Sequence, residues 1–481
     1  MSNPIKVLIA CDTFAPDING AARFGERLAG GLVRNGNEVH IIAPSNEDWH
    51  GTRIETHDEA QMVVHRLKSH RLRNHKTLRW PTPFGMTGTI RNIVKDVNPD
   101  ALHIQSHLMV GRFALRAAKG FKVRKIATNH IMPENLLRYS LLPKFLHPLA
   151  MKIIWADAGR ILKHMDALTT PTRRAADLLE RAAKLDGVLA ISCGIDASRF
   201  ANNTPTQNAN PVALFLGRLD DEKRLNILLD AIAKLDSHPD LRLQLVGDGG
   251  ERERLTKQAA TLGISDRVEF LGHITDQELP GVYENCTVFV MPSIAELQSI
   301  ATMEAMASGR PIIGADAMAL PHLVHDGDNG YLFPPDDSDA LADRLHRVLS
   351  ADHAELSRMS ENSLHLIQAH DINRTITIFE DLYRGVGENR PTTADNEPSY
   401  MIPIGRLSAG VRKRLNEFRQ DAVNLRRRAE DASESARGRF SEAAEGARER
   451  LTEVREEVRE QLSEFRSDVS EAAKKLRRKK D

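Results

Sequence analysis

Two glutamates, Glu296 and Glu304, are separated by seven residues in SIAELQSIATMEAMASGRP (293–311), a stretch that follows a strand-like run and opens a helical one. The N-terminal end of a helix offers free N–H groups and partial positive charge, which suit a phosphate. Ser299 and Ile300 are placed to supply those amides. Eight positions of helix make about 2.2 turns, so Glu304 falls on roughly the same side as Glu296, deeper along the helix. The helix dipole favours a first-turn carboxylate and accounts for Glu296 on its own. It leaves Glu304, in an apolar AMASG setting, without an explanation.

Cationic groups stand at a second strand end. In LFLGRLDDEKRLN (214–226), Arg218 and Lys223 leave a strand just before a helix, where together they could hold a diphosphate. Either alone reads as a solvated loop charge. In FAPDINGAARF (14–24), after the first strand, Gly20 permits the close backbone approach of a phosphate or sugar ring, and reads equally well as an ordinary turn. His130, in ATNHIMPENL, ends another strand and could orient a sugar or steer a hydroxyl; His107, in HIQSHLMVG, is a weaker candidate. The D-x-D strings Asp326–Asp328 and Asp337–Asp339 lie in a turn and a helix cap, so no metal is expected.

The elements that must position these groups alternate. KVLIA (6–10), EVHIIA (38–43), MVVHRL (62–67), ALHIQ (101–105), KIAT (125–128) and ALTT (167–170) read as strands between helical stretches such as the one carrying Phe24, Leu28 and Leu32. The pattern restarts with PVALFLG (211–217), LRLQLVG (241–247), RVEFLG (267–272), CTVFVMPS (286–293) and RPIIG (310–314). The fold class is therefore α/β: two doubly wound Rossmann-like domains facing a crevice, with ligands at the carboxyl ends of the strands. The first domain is placed at 1–195 and the second at 196–387, with the closing helix over 371–387 able to pack back on the first. A linker follows over 388–403.

Residues 404–481 differ. From Phe418 they can be written in blocks of eleven, with apolar residues such as Leu451, Val454, Val458, Leu462, Phe465 and Val469 recurring on one face. Eleven residues in three turns is 3.67 per turn, close to a straight α-helix, so this is a long amphipathic helical tail, one helix or a helical hairpin, with no globular core of its own.

The 481 residues carry no net charge, yet residues 1–190 carry +11 and residues 191–410 carry −15. No apolar run approaches a membrane-spanning helix, and the start reads as a strand instead of a signal peptide. Cys11, Cys193 and Cys286 fit no metal spacing and suggest a reduced cytosolic protein.

Taken together, these motifs resemble the retaining glycosyltransferases of family 4, on the GT-B fold, over about residues 1–387. The resemblance implies Glu304 on the ribose hydroxyls of a sugar nucleotide, and Glu296 with the following amides on the sugar. It also implies Arg218 and Lys223 on the diphosphate, Gly20 facing it from the first domain, and His130 in the crevice. Glu296 and His130 are thus the expected catalytic pair. The family usually has Phe-Gly where this chain has Gln298-Ser299. Retention of configuration follows from the resemblance, as does a donor, GDP-mannose before UDP-glucose, that needs no metal or other cofactor.

On the acceptor side, residues 130–155 mix Leu, Phe and Trp with Arg138, Lys144 and Lys152, behind the basic run HRLKSHRLRNHKTLRW (65–80). Basic residues beside apolar ones fit an anionic membrane surface. A nucleic-acid role lacks interleaved aromatics and a module. Asn135 and its neighbours after His130 resemble the subgroup acting on diacylglycerol-based glycolipids. The partners expected are a sugar nucleotide, a lipid acceptor and the inner face of the plasma membrane, with a tail-mediated homodimer as the competing role for the tail. Two rival readings are a non-hydrolysing sugar-nucleotide epimerase, which would lack the glutamate pair, and a lipid-surface coat protein with a vestigial enzyme domain.

Overall fold

The computed structural model describes residues 3–17, 19–71, 79–131, 147–200 and 210–386, and these form two α/β domains within one compact unit. Arg138, Lys144 and the tail over 404–481 lie outside the described residues.

Ten strands belong to the first domain: β1 (Lys6–Ala10), β2 (Glu38–Pro44), β3 (Gly51–His57), β4 (Ala60–Leu67), β5 (Ser69–Arg71), β6 (Arg79–Pro81), β7 (Ala101–Ile104), β8 (Arg124–Thr128), β9 (Ala167–Thr170) and β10 (Leu189–Ala190). Eight of them make one sheet in the order β10-β9-β8-β7-β1-β2-β4-β3, all parallel except β3, which runs antiparallel on β4. Strands β5 and β6 pair as a small hairpin. The chain leaves β1 toward β2 and later returns to β7 on its other side, so β1/β7 is the switch point where a ligand crevice opens.

The second domain repeats the plan with β11 (Val212–Leu216), β12 (Arg242–Val246), β13 (Val268–Gly272), β14 (Val288–Met291), β15 (Ile312–Ala315) and β16 (Gly330–Phe333). Their order is β13-β12-β11-β14-β15-β16, all parallel, with the switch point between β11 and β14. The central strands β14 and β15, covered on both faces, are buried at every position, as the apolar runs VFVM and IIGA require.

The helix Ile372–Arg384 takes the alternative course left open above: it packs on the first domain. Ile376, Phe379, Leu382 and Tyr383 join Val7, Phe24 and Leu28 in one buried cluster. Tyr383 Oη meets His103 Nδ1 at 2.7 Å, and a Cβ on Gly31 would lie 2.0 Å from Ile376 Cδ1, so only glycine lets the two helices approach this closely. The two chain crossings between domains also bind each other. Ile195 N donates to His370 O (2.8 Å) and Ile372 N to Ile195 O (3.1 Å), while Ser192 Oγ lies 2.9 Å from His370 Nδ1.

Candidate active site

The helix that follows β1 (Gly20–Arg34) and the helix that follows β14 (Ile300–Ala307) start opposite one another, one from each domain. A Cβ built on Gly20 would sit 3.9 Å from Ile300 Cδ1. The first-turn N–H groups of both helices lack intrahelical acceptors, and their partial positive charges converge on this gap. In the first helix Asn19 caps one of them, accepting from Ala22 N at 3.0 Å.

Strand β11 ends at Leu216 and delivers Arg218 and Lys223 into the switch-point crevice of the second domain. Arg218 is half-exposed and donates to Asp220 and to Glu222 Oε1, the latter at 3.0 Å. Lys223, in a short 3-10 turn (Asp221–Lys223), donates to Glu296 Oε1. Burial works to raise the Glu296 carboxyl, but the Lys223 charge and hydrogen bond, with Ser293 and Arg218 behind them, hold it below the usual range. The predicted phosphate cation and the predicted sugar contact are thus neighbours.

Ser299 caps the helix at Ile300 in a left-handed conformation, φ +74° and ψ +81°, which a non-glycine residue adopts at a cost of order 1 kcal/mol. This is where glycine is usual in the resembling family. Its Oγ lies 2.8 Å from Thr302 Oγ1 in a buried setting, which offsets part of the cost. Gln298, the other departure, is structural: Oε1 accepts from Cys193 N (2.7 Å) and Nε2 donates to Ser192 Oγ (2.6 Å), tying the loop to the crossing between domains.

Glu304 is 4% exposed, in the second turn of the same helix. Its Oε1 accepts from Arg27 Nη2 of the first domain at 2.8 Å. Its Oε2 lies 3.1 Å from Tyr283 Oη, whose single hydrogen is shared with Ala301 O at 3.0 Å. Burial first, and the charge of Glu304 second, keep Tyr283 protonated and able to donate. A second pair, Arg23 to Asp276 with both carboxylate oxygens engaged, also bridges the domains. That hydrogen bond holds Asp276 below its ordinary range.

On the first-domain side, His130 follows β8 and Gln105 follows β7. His130 Nε2 is 2.8 Å from Gln105 Oε1, so it donates there and leaves Nδ1 as an acceptor. Burial pushes His130 down to about 3, which keeps the ring neutral near pH 7. Phe24 packs on it with ring centroids 4.9 Å apart. His107 is fully buried beyond β7, pushed down to about 4 by burial and by Arg112, with no hydrogen-bond partner at Nδ1 among the described residues.

The structure therefore brings Gly20, Lys223, Glu296, Ser299, Ile300 and Glu304 to one crevice, with Arg218 at its edge and His130 on the facing strand ends. Asp326 Oδ1 accepts from Leu332 N within a turn, and Asp337 caps the helix Ser338–Ser350. Among the described residues no three His, Cys, Asp or Glu side chains converge as a metal cage. Sequence reasoning missed Arg23, Arg27, Gln105, Asp276 and Tyr283. Arg27 had a signal: it lies in the apolar stripe of Phe24, Leu28 and Gly31, where a charge must find a partner.

Residues 18–199 match the model of Glycosyltransferase Family 4, and residues 196–365 match that of Glycosyl transferases group 1. The chain is 34% identical over 245 residues to a D-inositol 3-phosphate glycosyltransferase of Streptomyces bingchenggensis, a match covering 47% of this chain and about half (54%) of that one. It is 27% identical to a GDP-mannose-dependent alpha-mannosyltransferase of Mycolicibacterium smegmatis, over 69% of this chain and 85% of the relative. It is 30% identical to a phosphatidyl-myo-inositol mannosyltransferase of Mycobacterium leprae, over 55% and 67%. The sucrose-phosphate synthase of Thermosynechococcus elongatus shares the fold, with a TM-score of 0.66 at 21% identity, over 79% of this chain and 99% of that one. Two doubly wound domains meeting in this crevice have the GT-B architecture, and the chain belongs to glycosyltransferase family 4.

Proposed function

We propose that this protein is a retaining, metal-independent α-mannosyltransferase that moves mannose from GDP-mannose to a diacylglycerol-based membrane glycolipid. The observation that carries the reading is the convergence of Lys223, Glu296 and Glu304 at a helix N-terminus facing Gly20. Arg218, Lys223 and the amides at Ser299 and Ile300 neutralise the diphosphate and the charge that grows on it as the glycosidic bond breaks, the task a divalent ion would otherwise perform. Glu304 takes the ribose hydroxyls and Glu296 the sugar. Neutral His130, its Nδ1 open as an acceptor, orients a sugar or acceptor hydroxyl. The donor choice is supported by the relatives named for GDP-mannose and for mannosyl transfer to phosphatidyl-myo-inositol.

The lipid acceptor draws support from the surface of the first domain, where Phe84 is 91% exposed and Trp80 and Ile153 are also exposed, on a domain rich in Lys and Arg. Among the described residues no helix is long and apolar enough to cross a membrane, so attachment at the inner face is peripheral in this reading.

The experiment is transfer by the purified full chain, offered GDP-mannose, UDP-glucose and other sugar nucleotides with membrane lipid extract. A mannosylated diacylglycerol glycolipid formed only from GDP-mannose, and undiminished by EDTA, is the expected product. A glucosylated lipid from UDP-glucose would replace the donor assignment, and loss with EDTA restored by magnesium would overturn metal independence. Nucleotide binding without transfer to any lipid would remove the acceptor assignment.

A further inference from the structure

Arg27 belongs to the first domain, yet the residue is 8% exposed and its guanidinium meets a carboxylate of the second. Only half of it is satisfied. Nη2 donates to Glu304 Oε1, while Nη1 is buried with no hydrogen-bond partner among the described residues. A buried donor left unmade costs about 1–3 kcal/mol, more on a charged group, so such an atom marks a missing acceptor.

The geometry says what kind of acceptor. The guanidinium is a planar fork, so Nη1 lies directly beside the Nη2 that binds Glu304. Any group bound there touches Arg27 and Glu304 at once. Glu304 has one donor on each oxygen, Arg27 and Tyr283, which leaves lone pairs to accept another. A ligand bridging the two must therefore donate to a carboxylate and accept from a guanidinium with the same atom or with neighbours. An alcohol does this; a carboxylate or phosphate would be repelled by Glu304.

We infer that Arg27 is a donor-binding residue contributed across the crevice: its Nη1 donates to the ribose hydroxyl oxygen whose hydrogen goes to Glu304. This rests on the reading above in which Glu304 takes the ribose. It goes beyond that reading by assigning half of ribose recognition to the acceptor-side domain. Nucleotide binding then completes the hydrogen bonding of a residue that the first domain lends to the second domain's site.

The test is isothermal calorimetry on the full chain, with GDP, 2′-deoxy-GDP and 3′-deoxy-GDP, comparing wild type with Arg27→Lys and Arg27→Gln. Lysine keeps a cation on Glu304 but has no second forked nitrogen. Wild type should bind GDP tighter than at least one deoxy form by about tenfold, the value of one hydrogen bond to a charged group. Arg27→Lys should weaken GDP about tenfold and erase that discrimination, with its thermal midpoint near wild type; Arg27→Gln should weaken GDP further. Wild-type affinity and an unchanged ribo-to-deoxy ratio in Arg27→Lys would make Arg27 a clasp between domains and nothing more, with the proposed function intact. Equal loss for GDP and both deoxy forms would also overturn the hydroxyl contact. If the wild type binds UDP and not GDP, the same comparison is made with UDP and its 2′- and 3′-deoxy forms; failure to bind either nucleotide would instead remove the reading on which the inference rests.

Discussion

Gly20 and Ile300 begin helices in different domains, and the space between them is the width of one methyl contact. A Cβ at Gly20 meets Ile300 Cδ1 at 3.9 Å, ordinary van der Waals separation. Alanine at position 20 therefore fits, and a larger side chain fills the gap that a diphosphate needs. Gly20→Ala should change thermal stability little. Gly20→Leu should leave the thermal midpoint near wild type and weaken GDP binding at least tenfold, both readable by calorimetry.

Lys223 and Glu296 are each largely buried and answer one another's charge. Removing one partner of such a pair leaves an uncompensated buried charge, at a cost of about 3 kcal/mol. Lys223→Met should therefore lower both stability and transfer. The double change Lys223→Met with Glu296→Gln should recover most of the stability and none of the transfer. Thermal unfolding and a transfer assay on the two variants separate the pair's structural and chemical parts.

Ser299 sets a left-handed backbone against a buried hydroxyl contact with Thr302. Glycine relieves roughly 1 kcal/mol of backbone cost and gives up a hydrogen bond of similar size, so Ser299→Gly should lie within about 1 kcal/mol of wild type. Ser299→Ala keeps the cost and loses the bond, and should be destabilised by about 1–2 kcal/mol. Urea unfolding of the two variants orders them.

Three fully buried histidines make stability fall with acid. Burial pushes His103 down to about 3, His107 to about 4 and His370 to about 3. Below an unfolded value near 6.5 the unfolded chain binds protons that the folded chain refuses, so stability drops as pH falls. Each group contributes about 1.3 kcal/mol of loss between pH 7 and 5.5, or about 4 kcal/mol for three. His57 runs the other way: burial opposes its charge, but Glu26 and Glu55 outweigh that and raise it. Its contribution is complete below pH 6.5 and is lost as pH rises through the raised value, so it trims the acid loss. His65 and His130, pushed down to about 4 and about 3 by burial, add to the loss, so denaturant unfolding at pH 7 and 5.5 should show a net fall of at least about 3 kcal/mol; constant stability would mean these rings are protonated in the fold.

The tail is testable by truncation. A chain ending at Pro403 should bind anionic liposomes more weakly, since Lys474, Lys475, Arg477, Arg478, Lys479 and Lys480 each add about 1 kcal/mol near such a surface. It should keep transfer to a short-chain soluble acceptor. Unchanged liposome binding with a change from dimer to monomer would make the tail an oligomerisation helix.

Most of the sheet was legible because buried parallel strands are apolar runs; β1, β2 and β14 could hardly be anything else. Strand β3 was hidden: GTRIETH is an exposed edge with no apolar face, held by its register on β4. The helix Ile372–Arg384 was visible as a helix, but an amphipathic stripe does not say which sheet it will cover. In the site, the spacing of Glu296 and Glu304 and the strand-end position of Lys223 could be read locally. What could not be read were partners 250 or more positions away, such as Arg27 for Glu304 and Arg23 for Asp276. Those depend on how two domains face, which no local pattern encodes.

The return of Ile372–Arg384 to the first domain has a consequence for synthesis on the ribosome. Phe379 packs on Phe24 with tilted rings 5.6 Å apart and Tyr383 seats His103, so the oldest part of the chain waits for nearly the last described residues before its apolar face is covered. The second domain, contiguous in sequence apart from its crossings, can finish first. A gene fragment ending near residue 195 would thus encode an unfinished object, prone to aggregate, whereas the same fragment supplied with residues 371–386 would carry the missing piece of its own interior.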